Sequence, residues 1–332
     1  MSNANVQCAL ADAATALSKA AAALADAAAA AAKAVPNVEP AVVVAATTST
    51  PTYAFSEHVV IYDIAKFRAL VADTEALARV ICLEITGVAE IRNADLEHIK
   101  HVGQIGLYGL QYVSDVSALR NARRVHLRDL PLVEDISSLC NVVDEVELVN
   151  LPLVKDISAL RNTRTVTLWN MPLVEDISSL CNVVDAVLTS LPLVSDVSAL
   201  RNANTLVLCA LPLVSDVSAL RGVTALTLNC LPLVSNVSAL RGVCELRMIE
   251  LSLVSDVSAL RGVRDLMLVK LPLVTDVSML RGVTTLRLLN MSIAEDDAGL
   301  LSLIGYCDTI VHNGTHVKCR AAAAATTAAA TA

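Results

Sequence analysis

Four residues near the C-terminal end invite a metal reading. Cys307, His312, His316 and Cys319 spell C-x4-H-x3-H-x2-C. Thiolate and imidazole are good zinc ligands, and a structural site usually takes about four of them in a tetrahedron. The spacing is not one of the common ones, so the plainer reading is a terminal strand that happens to carry two thiols. A Cys307–Cys319 disulfide is a third reading and requires an oxidising compartment. Aspartates form a second group: Asp115, Asp135, Asp156, Asp176, Asp196, Asp216, Asp256 and Asp276, with Asn236 in the same series. Calcium needs about six to eight oxygens converging on one point, whereas these carboxylates lie one per repeat along an axis. Arg120, Arg161, Arg201, Arg221, Arg241, Arg261 and Arg281 form a third group, interrupted by Cys140 and Cys181. Stacked guanidinium groups could grip an acidic partner; equally, each sits where a helical turn ends and its charge favours the turn dipole. His98 and His101 beside Glu97 read as solvated residues. No nucleophile–base–orienter set can be assembled, and there is no Gly-rich phosphate loop and no H-E-x-x-H. Neither catalysis nor a cofactor nor a bound metal is expected.

What positions these residues is a repeat. From Leu110 to Asn290 the chain repeats nine times with a 20-residue period, and the unit starting at Leu130 has one extra residue. The unit reads L-P-L-V-x-D-V-S-x-L-R-[GN]-V-x-x-L-x-L-x-x. The segment V-x-x-L-x-L, as at Val223, Leu226 and Leu228, alternates with period two, which predicts a short strand with alternate residues inward. Twenty residues fit one strand and a compact return, so stacked copies make a parallel sheet. The return is D-V-S-A-L-R-[GN]. Asp and Asn share a capping oxygen, which predicts one helical turn starting there. The Gly/Asn column Asn121, Asn141, Asn162, Asn182, Asn202, Gly222, Gly242, Gly262 and Gly282 predicts positive φ just past the turn. Pro131 and its equivalents follow each strand and should end the sheet.

The stretch V-T-A-L-T-L-N-C-L at 223–231 resembles the L-x-x-L-x-L-x-x-N core of leucine-rich repeats. The D-[IV]-S-x-L portion resembles the short-repeat subclass of internalin-like and phosphatase-regulatory leucine-rich repeats. The resemblance covers roughly residues 90–300. It implies an α/β repeat solenoid, a curved stack with a parallel β-sheet on the concave face and one-turn helices on the return side. One departure matters. The family's buried Asn is replaced by Leu or Met, as at Leu151, Met171, Leu191 and Leu231, so its hydrogen-bonded ladder should be missing and packing there should be apolar.

Composition agrees with a stack of Leu and Val layers: the 332 residues are 55% hydrophobic but only 2% aromatic. A net charge of −8 argues against phosphate-backbone binding. No apolar run reaches the roughly 20 residues of a spanning helix, and no signal peptide is read, which points to a cytoplasmic protein that does not engage a membrane. Nine cysteines, scattered singly among repeats, favour a reducing compartment. Residues 1–52 are read as an Ala-rich helical tail, with Leu10, Leu17 and Leu24 on a seven-residue beat, followed by a linker. Residues 53–89 are read as an N-terminal cap with a helix near Ile64–Arg79. The array spans 90–290, a decayed copy first and nine clear ones after. Residues 291–319 form the C-terminal cap and 320–332 an Ala/Thr tail.

Core and capping positions barely change between repeats, but the outward strand positions vary from one to the next. One outward column reads Gly106, His126, Glu147, Thr167, Val187, Val207, Thr227, Arg247, Met267 and Arg287. Two residues on, the next reads Tyr108, Arg128, Val149, Trp169, Thr189, Cys209, Asn229, Ile249, Val269 and Leu289. In a repeat stack these line the concave face. Trp, Tyr and Arg are enriched at energetic centres of interfaces. Tyr108, His126, Arg128, Glu147, Val149, Trp169, Arg247, Met267 and Arg287 are therefore the candidate partner-binding residues of a non-enzymatic, monomeric protein-binding scaffold. The alternatives are drift on an unused face, a structural spacer, a surface-displayed adhesin, or a metal-dependent or catalytic protein using the Cys307/His312/His316/Cys319 cluster.

Overall fold

The computed structural model describes residues 58–294 and 296–317; the expectations for residues 1–52, for Cys319 and for the 320–332 tail fall outside them. Each V-x-x-L-x-L segment is a five-residue strand, because its alternation leaves one face fully apolar. The nine array strands are β4 (Arg124–Arg128), β5 (Glu145–Val149), β6 (Thr165–Trp169), β7 (Asp185–Thr189), β8 (Thr205–Cys209), β9 (Ala225–Asn229), β10 (Glu245–Ile249), β11 (Asp265–Val269) and β12 (Thr285–Leu289). β3 (Gln104–Tyr108) is the strand of the decayed first copy. The cap contributes β1 (His58–Ile61) and β2 (Cys82–Thr86), two strands not anticipated from its sequence, around helices α1 (Ile64–Ala72) and α2 (Thr74–Arg79). The single helix expected near Ile64–Arg79 is split because Asp73 ends one helix and caps the next, its carboxylate accepting from the Ala76 N–H at 2.9 Å.

All these strands join one 14-stranded sheet in strict sequence order. β13 (Thr309–His312) continues the parallel pairing, and β14 (Thr315–Val317) runs antiparallel as the last strand, and so short an edge offers few unpaired backbone groups to template aggregation. Register is homotypic: Leu246 faces Leu266 and Met248 faces Leu268. A single coil shows the core. Leu211, Val214, Val217, Leu220, Val223, Leu226 and Leu228 are all buried. Each such side chain is worth roughly 1.5–3 kcal/mol when fully buried, and only neighbouring coils can bury it. Leu151, Met171, Leu191 and Leu231 are core residues, so the apolar packing expected in place of the family's Asn is present.

The return is a 3-10 turn, as at Ser198–Asn202. The aspartate starts it as expected, though one residue earlier than a standard cap: Asp196 Oδ1 accepts from the Ser198 N–H at 2.7 Å, and the equivalent bond recurs in all nine units, Asn236 included. Asp196→Ala is expected to cost about 1 kcal/mol. The same bonds give an acid dependence. The serine backbone N–H, then its hydroxyl, holds the carboxyls of Asp156, Asp176, Asp216 and Asp276 below the usual range; at Asp256 the hydroxyl is the larger cause. A carboxyl depressed on folding stabilises above its unfolded pKa, about 3.9, and that contribution is lost as pH falls through the lower folded value. Melting temperature should therefore hold from pH 7 to about 5 and fall below about 4. Replacing the five aspartates by Asn, which keeps the acceptor, should flatten that limb; an unchanged acid limb would separate it from this column.

The turn end departs from expectation. Asn121 to Asn202, Gly222 and Gly242 do not have positive φ; only Gly262 and Gly282 do, at 83° and 88°. The chain leaves the 3-10 turn directly into extended backbone, as at Ala203 with φ −64° and ψ 145°, so no left-handed residue is needed. At Gly242 the space is tight, since a Cβ would lie 3.3 Å from the Arg221 carbonyl oxygen; at Gly222 it would make only ordinary contact at 3.5 Å. The left-handed position is instead the residue after each strand. Gly109 has φ 67°, and Asp129, Asn150, Asn170, Ser190, Ala210, Cys230, Glu250, Lys270 and Asn290 lie between 52° and 57°. There the chain swings into the L-P corner while its N–H still reaches the next coil, as from Asn150 to the Trp169 carbonyl at 3.0 Å. Gly109→Ala is therefore expected to cost about 1–2 kcal/mol of left-handed strain, and Gly242→Ala less. Thermal melts that rank the two oppositely would return the strained position to the turn.

Candidate functional site

Strand alternation puts every even-spaced residue of the two outward columns on one continuous face, so the candidate residues share a surface but not one patch. Tyr108, His126, Arg128, Glu147, Val149 and Trp169 lie on the adjacent strands β3–β6. With strands about 4.8 Å apart, they span on the order of 15 Å. Arg247, Met267 and Arg287 lie on β10–β12. Between the groups run Val187, Thr189, Val207, Cys209, Thr227 and Asn229.

The first group is tied together by polar contacts. The Tyr108 ring folds back over Gly106, where a Cβ would come within 2.6 Å of ring atoms; the missing side chain is what lets the ring lie there. Its hydroxyl is 3.4 Å from His126 Nδ1. His126 Nε2 is 3.6 Å from Glu145 Oε1, an ion pair if the imidazole is protonated. The Arg128 guanidinium sits 5.8 Å from the Tyr108 ring centroid and donates to Glu147 Oε1 at 2.6 Å. Burial, then Glu84 and Glu147, push the Tyr108 phenol up to about 12, so it stays a neutral hydrogen-bonding group. Arg128 and Glu147 pair with each other, so the two charges present a nearly neutral unit.

Val149 is a correction. It was expected to be an exposed contact, yet it is only 5% exposed. It lies between Arg128 and Trp169 in the register, and a short side chain between two long ones becomes floor instead of contact. Trp169 itself is half-buried. The second group is plainer. Arg247 lies 3.9 Å from Glu245 in an exposed pair, and Ile249, Val269 and Leu289 make that end of the face more apolar.

The described members of the C-terminal set, Cys307, His312 and His316, do not all share one face. Cys307 and His312 are buried, His312 at 1% exposure on the inward side of β13. His316 pairs with Val311 on β14 and is exposed, which puts the two imidazoles on opposite faces of the sheet. His312 instead continues the core column opposite Leu288, with its Nδ1 unsatisfied. The Arg column is exposed, and among the described residues it makes no ion pair with the Asp column. Arg281 instead stacks 5.0 Å from the Tyr306 ring centroid.

Two features escaped sequence reasoning. The second leucine of each L-P-L-V corner is exposed: eight residues from Leu132 to Leu273, 40–50% each, form a ridge along one flank. The signal was available, because an unchanging apolar residue with no inward slot in the alternation must face solvent. The other is a side-chain ladder in the left-handed column. The Asn170 amide donates to Asn150 at 2.8 Å, and Asn150 to Asp129 at 2.6 Å. It is a surface ladder, distinct from the family's, whose place the buried Leu151 and Met171 fill. Together with Pro131, Pro152 and Pro172 it lines a shallow groove of about 290 Å³. Farther along, Lys270 donates to Glu250 at 2.6 Å.

No protein-family profile and no curated protein matches the chain. Among solved structures it is similar to an internalin, InlF, from Listeria monocytogenes, with 20% identity, 72% of this chain and 85% of that chain covered, and a TM-score of 0.52. It is more distantly similar to internalin C2 of the same organism, at 14% identity, 72% and 83% coverage and a TM-score of 0.32. A leucine-rich-repeat protein of Leptospira interrogans has 11% identity, 72% and 96% coverage and a TM-score of 0.33. Among the described residues no helix is long and apolar enough to cross a membrane.

Proposed function

We propose that this chain, a curved leucine-rich-repeat solenoid by fold, is a non-enzymatic scaffold that binds a protein partner on the outward strand face. The observation that carries this reading is the contrast between columns. Inward columns are nearly constant and buried, while the outward columns vary from coil to coil yet form one continuous surface with Trp169 partly exposed on it. Packing makes no demand for a Trp there, so binding is the better account of it. Tyr108, His126, Arg128, Glu147 and Trp169 are the contact residues at one end, and Arg247, Met267 and Arg287 at the other, with Val149 as floor. Cys140, Cys181, Cys209, Cys230 and Cys244 sit singly in their coils, which fits a reducing, cytoplasmic setting.

The test is capture with the immobilised full-length chain, followed by titration of each captured protein against wild type, Trp169→Ala and Arg221→Ala. Saturable binding lost in Trp169→Ala and kept in Arg221→Ala supports the reading. The reverse pattern moves the site to the return side, and no saturable partner leaves a structural spacer.

A further inference from the structure

The first two strands carry a ligand set that the repeat logic does not require. His58 on β1 stands directly opposite Cys82 on β2, and Glu84 follows two residues later on the same face. Val59, Ile61, Leu83 and Ile85 between them are buried, so imidazole, thiol and carboxylate all project from the outward side. One nitrogen, the sulfur and one carboxylate oxygen all lie within 4.8 Å of one another. His58 Nε2 is 3.2 Å from Glu84 Oε1, with side-chain exposures of 57% and 34%.

We propose that His58, Cys82 and Glu84 form a site for a divalent transition-metal ion of the zinc class, with the fourth position open on the outward strand face. Tetrahedral zinc, with bonds near 2.1 Å to nitrogen and oxygen and near 2.3 Å to sulfur, holds its ligand atoms roughly 3.3–3.7 Å apart. The His58–Glu84 separation of 3.2 Å is already close to that, and the three ligand atoms, within 4.8 Å of one another, would draw together by side-chain rotation. The donor set selects the ion: calcium and magnesium want oxygens throughout, whereas one nitrogen, one sulfur and one carboxylate suit zinc. A histidine–glutamate ion pair alone would account for two of the residues but gives no reason for a thiol opposite the imidazole. Three protein ligands leave a position for water or for a donor from a bound molecule. The site stands apart from the buried Cys307 and His312 at the other end of the sheet, and it does not rest on the protein-binding reading.

The experiment uses the full-length chain, reduced and stripped of metal with EDTA, titrated with Co2+ and then Zn2+. One Co2+ per chain is expected, with a sulfur-to-cobalt charge-transfer absorption that one equivalent of Zn2+ removes. Cys82→Ser should abolish that absorption, and His58→Ala and Glu84→Gln should each weaken binding at least 10-fold, all with wild-type circular dichroism and melting. Cys244→Ser, at an exposed thiol elsewhere, should leave the absorption unchanged. Absence of stoichiometric binding in the wild type, or an absorption that survives Cys82→Ser, overturns the proposal. So does an absorption lost in Cys307→Ser and kept in Cys82→Ser, which would place the ion at the C-terminal set.

Discussion

Leu208→Ala is expected to cost about 2–5 kcal/mol, the usual range for truncating a fully buried leucine. Leu208 is completely buried in the middle of β8, with Leu188 and Leu228 beside it in the register. A cavity there cannot be filled from the sheet, because each neighbour is itself pinned in a layer. In a linear stack, stability is close to a sum of coil and nearest-neighbour terms, so the damage falls on the two interfaces that the eighth strand makes. The melt should broaden or split as the halves lose their coupling, and limited proteolysis should cut first near the middle. Leu213→Ala is the matched control. It lies five residues later but is 46% exposed, so it should stay within about 0.5 kcal/mol of wild type. Equal losses in the two variants would mean that the exposed leucine ridge is covered in the native protein.

The second large effect is on binding. Trp169→Ala should weaken partner affinity by about 2 kcal/mol or more, about 30-fold in Kd. Trp169 stands on β6 with Val149 on one side and Thr189 on the other. Its ring offers a wide apolar face beside the Arg128–Glu147 pair, which is itself closed at 2.6 Å. A partner burying the ring would also desolvate that pair in its formed state, without having to assemble it. The inward neighbour Leu168 is fully buried and is untouched by the substitution, so the melting temperature should barely move. Titration calorimetry with the captured partner reads the change. An affinity within twofold of wild type would remove Trp169 from the interface centre. Arg128→Ala then serves as a second reading of the same face, since it frees Glu147 and should alter salt dependence more than affinity.

The strands and their faces were legible because alternation with period two is a local property, repeated often enough to leave no other phase. The aspartate turns were legible because Asp and Asn exchange only where a short acceptor is wanted, and the structure shows that acceptor in use at Asp196 and Asn236. The faces of the C-terminal Cys and His residues were not legible, for the complementary reason. Spacing along the chain cannot say which face of a terminal strand each residue takes, and the antiparallel return of β14 separates His316 from His312. His58, Cys82 and Glu84 passed unnoticed because Cys82 comes 24 positions after His58, across two helices, and only strand pairing brings them side by side.

By itself, then, the sequence determined a one-strand-per-coil solenoid, its inward columns, its capped turns and the outward face on which variation collects. Those follow from periodicity and side-chain chemistry, which act within one coil. Tertiary structure decided where left-handed backbone falls, because the corner after each strand is shaped by the next coil's hydrogen bond, as between Asn170 and the Thr189 carbonyl. That bond holds Ser, Ala, Cys, Glu and Lys at positive φ, a conformation no propensity would assign to them. It also decided that Val149 is floor and that Arg128 and Glu147 neutralise each other. Each of those outcomes depends on what stands one coil away, about 4.8 Å across the sheet and some 20 residues along the chain.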